Sequence, residues 1–576
     1  MRRKDIDILK AIAIVAVILY HFGFSKYGYL GVDLFLVING FFITSSLIRN
    51  AKNGTVSYVG FIVKRFSRLY PLVILSGVMA MILGAISMLP DNYENVAMSV
   101  VSTNVFSNNI LAAITTKNYW DVVNNYKPLM HTWYLGILAE FYVVYPLLFV
   151  VPCKIFKKAD KEILLKRIFI GVFICSALSL MLYLLPFASY SSKFYYLPFR
   201  FYELSVGGII AFVYQKTKIG PLGKFVNIGS WVFLGILMFV NTCFINDSLR
   251  LLLVVVMSCL SCYTYCPSSS SKDLCNIMPF LVSFGAKSYS YFIWHQVILA
   301  FWRCYIGADM NFFSVLICLV LIVSVSELSY YFVENKIKAG KKTLAVCVVC
   351  ASVLCVVSGV VYLRAGVIRD VPELGITTDN IQRQMHGSYC DRIYKYDKDF
   401  EDNGKFKVFV IGNSFARDWA NILLESSYAD KIDISYAFSY DESYKERLLQ
   451  SEYVFLYSQD DSDYEELREI IGKERIWVVG TKNFGESNDM IYLRRFSDSY
   501  FDTTVMPSDE SIKTDEHMKT LYKDRYIDLM TPLMNENNEI QVFTDDNKFI
   551  SQDCRHLTIY GAKFYARIID LDKIFQ

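Results

Sequence analysis

Uncharged apolar runs recur from the N-terminus to about residue 363. Several reach the ~20 residues that a helix needs to cross a bilayer. A chain with that many runs cannot hide them all in one soluble core. Apolar residues make up 54% of the 576, and the mean hydropathy is +0.32. After Arg364 the composition changes: Asp, Glu, Lys and Asn become frequent and long apolar runs stop. The sequence therefore divides into a polytopic α-helical membrane domain over 1–363, a linker over 364–404 and a second domain over 405–576.

Eleven candidate spans lie near 5–24, 30–48, 69–89, 129–151, 168–186, 201–215, 225–245, 249–265, 288–305, 312–333 and 343–363. Alternate connections carry the Lys and Arg, in "MRRK", "IRNAKN", "VKRFSR", "CKIFKKADKEILLKR", "QKTKIGPLGK" and "ENKIKAGKK". The positive-inside rule then places the N-terminus in the cytoplasm. Eleven spans place everything after Arg364 outside. The net charge is +3 with no basic stripe, so nothing points to nucleic acid. No metal is expected.

Charge inside hydrocarbon is costly and usually faces a cavity or a partner. Lys10 and His21 are eleven residues apart, close to three helical turns, so they share one face. Their separation along the axis is ~16 Å. Asp33 opens the returning helix at about the depth of His21. A carboxylate beside an imidazole fixes its tautomer and stabilises the imidazolium, as a general base requires. The bland alternative is a His–Asp pair that only fastens two helices.

Further motifs follow in order. "FIVKRFSRLYP" places Lys64, Arg65 and Arg68 at the cytoplasmic mouth of the third span. "LMHTWYLGILAEFYVVYP" places His131 and Trp133 at the outer end of the fourth. "FRFYELSVGG" sets Arg200 and Glu203 one turn apart. "SYSYFIWHQVIL" carries His295, and "ELSYYFVEN" closes the tenth span. Together with the basic-x10-His of Lys10 and His21 and with "GVDLFLVINGF", these resemble the membrane-bound acyltransferase-3 family across about 335 residues. The family's usual first Arg is Lys10 here, which weakens any bidentate phosphate contact at that point.

The resemblance implies acyl transfer from cytoplasmic acyl-CoA, usually acetyl-CoA, to a carbohydrate hydroxyl outside. On that reading Arg65, Arg68 and Lys64 hold the CoA phosphates, although ordinary positive-inside anchoring explains the same residues. His21 is the candidate general base, and Lys10 and His131 are candidate substrate contacts. A solvent-filled cavity is expected from the mouth at Arg65 and Arg68 to an outer ring of His21, Asp33, Arg200 and Glu203.

In the last domain, "KFKVFVIGNSFARDW" reads as a strand, a turn at Gly412-Asn413-Ser414 and a helix. Near the end, "SQDCRHLTIYGAKFYA" sets Asp553 and His556 three apart before a helical pattern. That spacing lets a carboxylate orient an imidazole toward a serine brought in from elsewhere. Apolar runs at "KIDISYAF", "EYVFLYS" and "RIWVVGTKNFG" suggest a parallel α/β sheet. These features are similar to the SGNH hydrolase family, a flavodoxin-like three-layer fold. The resemblance makes Ser414 the nucleophile, His556 and Asp553 its activators, and Asn483 of "GTKNFG" an oxyanion contact.

The fusion resembles bacterial surface-glycan O-acetyltransferases of the plasma membrane. It implies transfer of acetyl to a cell-envelope polysaccharide by an extracytoplasmic C-terminal domain. Three alternatives stay open: another acyl group such as succinyl, a glycan acetyl-esterase, and a glycan transporter. Cys390, in the linker, and Cys554 are the only cysteines after Arg364. Outside the cytoplasm they are candidates for a disulfide.

Overall fold

The computed structural model describes residues 3–115, 124–156, 158–186, 188–214, 222–241, 245–264, 278–307, 310–381, 385–458 and 461–575. The basic run "QKTKIGPLGK" falls mostly outside the described residues. The chain forms two compact units. The first holds Met1–Ala85, Asn95–Arg303 and Asp309–Tyr362; the second holds Ile86–Glu94, Cys304–Ala308 and Leu363–Gln576.

Every expected span falls on helix in the first unit or at its edge. Among the described residues, seven helical segments are long and apolar enough to cross a bilayer: Gly28–Lys52, Tyr58–Ser87, Met130–Ile155, Lys161–Leu184, Asp247–Thr264, Phe312–Glu334 and Lys341–Leu363. The other four expected spans are the helices Lys4–His21, Leu197–Tyr214, Leu222–Phe239 and Ser288–Tyr305. Three of these four carry the charged or imidazole groups, among them Lys10, Arg200, Glu203 and His295. Those groups are compatible with a membrane protein because they turn inward: Arg200, Glu203 and His295 are all buried.

Small residues let these helices touch backbone to backbone. A Cβ on Gly40 would lie 1.7 Å from the Leu204 carbonyl oxygen, and one on Gly207 would lie 2.1 Å from that of Val37. A side chain at either position would force the helices Gly31–Lys52 and Leu197–Tyr214 apart. This close contact fixes Asp33 of one helix relative to Arg200 of the other.

The second unit is built on a five-stranded sheet of β1 (Phe406–Gly412), β2 (Ile432–Ala437), β3 (Tyr453–Tyr457), β4 (Ile476–Val479) and β6 (Tyr526–Ile527). Its order is β2-β1-β3-β4-β6 and every pairing is parallel. A short antiparallel ribbon of β5 (Thr504–Val505) and β7 (Ile540–Gln541) stands apart. Side chains alternate across a strand, and both faces of β1 are covered. Val408 and Val410 join a core with Trp419, Ile422 and Tyr565. Phe409 and Ile411 join another with Leu448, Leu456 and Leu467. This is the doubly wound arrangement whose sites lie at the carboxyl ends of the strands.

The expected linker is part of this unit's fold. Val367, Val371, Leu374 and Ile376 share a core with Leu89, Phe543 and Phe549, and Ile393 enters the core under β1.

Candidate active sites

The helical unit contains a cavity of about 680 Å³. Its lining includes Lys10, Arg49, Lys64, Arg65 and Arg68, together with Asn39, Tyr134, Tyr142, Phe292 and Glu334. Asn39 and Arg49 both line it from one helix, so the cavity extends ~15 Å along that axis at ~1.5 Å per residue. One end is basic. The Arg65 guanidinium there lies over the rings of Phe61 and Tyr142, at 5.3 and 5.7 Å. The other end is aromatic, with Phe35, Tyr134 and Phe292. Tyr134 is fixed there by Asn39, whose amide donates to its hydroxyl at 2.7 Å. Lys10 sits 3.7 Å from Asp7 and over the Phe42 ring.

The cavity does not follow the whole expected path. His21, Asp33, Arg200 and Glu203 are absent from its lining. Arg200 donates to both Asp33 and Glu203, the latter at 2.9 Å, and all three are buried. The single guanidinium is thus shared by both carboxylates. The pairing of Asp33 with His21 is thereby corrected: the carboxylate belongs to Arg200. His21 instead meets another imidazole. Its ring centroid is 5.1 Å from that of His295, which is 5.2 Å from that of His131. The Arg303 guanidinium donates to the His21 carbonyl at 2.5 Å. Phe292 separates the cavity from these rings. It lines the former and packs against His131 at 5.1 Å and His295 at 5.8 Å.

In the second unit the strand–turn–helix forms as the sequence implies. β1 ends at Gly412, whose φ is +132°, and a Cβ there would lie 2.4 Å from the Tyr457 carbonyl oxygen. Asn413 caps the helix Ser414–Leu424, its side chain accepting from the Phe415 amide at 3.0 Å. Asparagine is among the residues most favoured at such a capping position. Ser414 is the first helical residue, at the carboxyl end of β1.

The partners arrive from the far end of the chain. The Ser414 hydroxyl is 2.9 Å from His556 Nε2. His556 Nδ1 is 2.5 Å from Asp553 Oδ2. A carboxylate only accepts, so Nδ1 carries the proton and Nε2 is free to accept from the serine. The other oxygen of Asp553 accepts from the amides of Arg555 and His556, at 3.0 and 2.7 Å, which fixes the loop. Thr558 then caps the helix Ile559–Ile568. Asn483 accepts from the amides of Gly485 and Ser508, each at 3.1 Å. Its carbonyl oxygen is therefore spent on the loop, leaving its N–H groups for a ligand. The neighbouring Phe484 amide donates to the Cys554 carbonyl at 2.9 Å, joining this loop to that of Asp553 and His556.

Residues 3–331 match the family described as Acyltransferase domain, which is more than half of the chain. The chain belongs to that family. A Staphylococcus aureus (strain COL) protein, named provisionally as an O-acetyltransferase, is 30% identical over 359 residues. That match covers 59% of this chain and 58% of the relative. The peptidoglycan O-acetyltransferase OatA of Listeria monocytogenes is 27% identical over 58% of this chain and 55% of its own. The chain thus spans under two thirds of the curated relatives it matches. No solved structure matches it.

In this member of the acyltransferase family the motif residues fall into separate groups. Lys10, Arg65 and Arg68 line the cavity. His21 and His131 belong to the imidazole row, and Asp33, Arg200 and Glu203 to a buried ion cluster. Sequence reasoning missed Asn39, Tyr134 and Glu334 as cavity walls, since each stands among ordinary packing residues in the sequence. It also left His295 without a role, although this ring stands between the other two imidazoles. Cys390 and Cys554 are both buried and are not bonded to each other, so the candidate disulfide is absent. Among the described residues, no group of three or more His, Cys, Asp or Glu is arranged to hold a metal ion.

Proposed function

We propose that the protein is an O-acetyltransferase of the bacterial plasma membrane. It takes acetyl from cytoplasmic acetyl-CoA and places it on a hydroxyl of a cell-envelope polysaccharide outside. The observation that carries this reading is the hydrogen-bonded series Ser414–His556–Asp553, held in one chain with an acyltransferase-family helical unit. Peptidoglycan, named in two relatives, is the first acceptor to test.

On this reading Lys64, Arg65 and Arg68 hold the CoA phosphates, because guanidinium and ammonium groups make short charge-assisted bonds to phosphate. The pantetheine arm runs along the cavity toward Phe35, Tyr134 and Phe292. His21 is the general base of the membrane half-reaction, and His295 and His131 stand between it and Phe292 at the end of the cavity. The second unit lies outside the membrane and is SGNH-like. As the Ser414 oxygen attacks the acetyl carbon, His556 takes the hydroxyl proton and returns it to the leaving group. The acetyl-serine is then attacked by a sugar hydroxyl, whose proton passes to His556 and back to Ser414. Covalent catalysis splits one difficult transfer into two easier ones. Asn483 and the first-turn amides of the Ser414 helix stabilise the tetrahedral oxyanion.

The test is mass spectrometry of envelope polysaccharide from cells with the wild-type chain, with Ser414→Ala and with neither. Acetyl esters present only with the wild type support the reading. Esters that increase when the protein is lost indicate an esterase, and a succinyl mass names a different donor. Unchanged esters in Ser414→Ala cells overturn the role of the triad.

A further inference from the structure

Lys482 and Asp418 form an ion pair with both side chains wholly buried, Nζ standing 2.7 Å from Oδ2. Such a pair loses its hydration, a cost that mutual attraction often fails to return. Stability alone is therefore a poor reason for its presence, and its position offers another. Asp418 lies one turn beyond Ser414 on the same helix. Its Oδ2 also accepts from the amide of Leu557, the residue after His556, at 3.1 Å. Lys482 precedes Asn483 in the segment that follows β4. Its ammonium lies 4.0 Å from the ring centroid of Phe415, the residue after Ser414. That ring stacks on Tyr457 at the end of β3 and meets His556 edge-on, at 4.7 and 6.3 Å.

We propose that the Lys482–Asp418 pair is the positioning device of the outer site, locking the three segments that carry Ser414, His556 and Asn483 into one register. The proposal rests on the reading of Ser414, His556 and Asp553 as a catalytic triad. The pair itself touches no reacting atom. A buried charge separated from its partner is left uncompensated in a medium of low polarity. Small displacements of any of the three segments are therefore resisted more steeply than by apolar contact. A serine and an imidazole at 2.9 Å need that restraint, since their loops come from opposite ends of the unit.

The test uses the full chain purified in detergent and a fluorophosphonate probe that bonds to an activated serine. Wild type is expected to be labelled at Ser414, and Ser414→Ala not to be labelled. A wild type that resists the probe overturns the triad reading itself. The double variant Lys482→Met/Asp418→Asn removes both buried charges, which folded proteins often accept without loss of stability, and keeps an acceptor for the Leu557 amide. It is expected to melt at or above the wild-type temperature while labelling of Ser414 slows about tenfold or more. Hydrolysis of p-nitrophenyl acetate should lose kcat, with KM within about twofold. A folded double variant labelled at the wild-type rate overturns the proposal. Should it not fold, Asp418→Asn alone keeps that acceptor and removes only the carboxylate charge; wild-type labelling in that variant overturns the proposal equally.

Discussion

Asp33 closes on the guanidinium of Arg200, and the two side chains are 2% and 3% exposed. Glu203 is the second carboxylate on the same Nη1. This pairing, and not one between Asp33 and His21, joins the second helix to the helix Leu197–Tyr214. Removing the cation leaves two buried carboxylates facing each other. Loss of one member of a buried ion cluster costs about 3–5 kcal/mol. Arg200→Ala is therefore expected to lower the thermal midpoint of the detergent-solubilised protein sharply, and Arg200→Lys to lower it less. A midpoint unchanged in Arg200→Ala would show that the carboxylates are held by something else.

The imidazole row predicts a division of labour between the two units. His21→Ala membranes should stop consuming acetyl-CoA, while Ser414→Ala membranes keep consuming it until the carrier of acetyl is saturated. His295→Asn should slow consumption, since its ring lies 5.1 Å from that of His21. Free CoA released from washed membranes is the quantity to follow. Wild-type release from His21→Ala membranes would assign these rings to helix packing.

At the cavity mouth, Arg65→Ala and Arg68→Ala should each raise KM for acetyl-CoA by about tenfold, with a smaller change in kcat. A hydrogen bond to a charged group contributes about 1.5–3 kcal/mol, and it acts equally on bound donor and transition state. Initial-rate measurements over a range of acetyl-CoA concentrations decide this. A fall in kcat with KM unchanged would move these arginines away from donor binding.

Two carboxyls, buried Asp489 and partly buried Asp91, should make the second unit's stability depend on pH. Burial pushes Asp489 up to about 6, only partly offset by its bonds from the Leu89 amide and the Asn92 side chain. Burial, then neighbouring Glu94, Asp553 and Asp489, push Asp91 up to about 7. In the unfolded chain both titrate near ~3.9. Between these values the folded state binds more protons than the unfolded state, so stability falls as pH rises. The contribution is complete below pH ~4 and is lost as pH passes through about 6 and about 7. Thermal midpoints should decline across that window, and Asp489→Asn or Asp91→Asn should flatten the decline. Equal slopes in wild type and both variants would show that other groups set the dependence.

The two thiols of the second unit sit in different surroundings. Cys390 faces the Leu557 carbonyl oxygen at 3.9 Å and Cys554 faces Asn488 Oδ1 at 3.4 Å. Burial raises both above the ordinary thiol value, which keeps them protonated and slow to oxidise. Both should react with an alkylating reagent in denatured, unreduced protein. Mass spectrometry that finds the two peptides linked would restore the bridge.

Much of this protein is written locally in its sequence. Long apolar runs must become helices, because a bilayer leaves their backbone groups no other partners. The hydrogen-bonded serine of the second unit is equally local: β1, Gly412 and the Asn413 cap are consecutive, and Asp553 and His556 are three residues apart on one loop. Pair choice is different, because it depends on how helices rotate and how closely they approach. Asp33 finds Arg200 across 167 residues because Gly40 and Gly207 let two backbones touch. Lys482 finds Asp418 because a loop after β4 and the helix after β1 enclose the same interior space. No periodicity encodes such meetings. Sequence determined which charges had to be buried, and only tertiary packing decided which of them would meet.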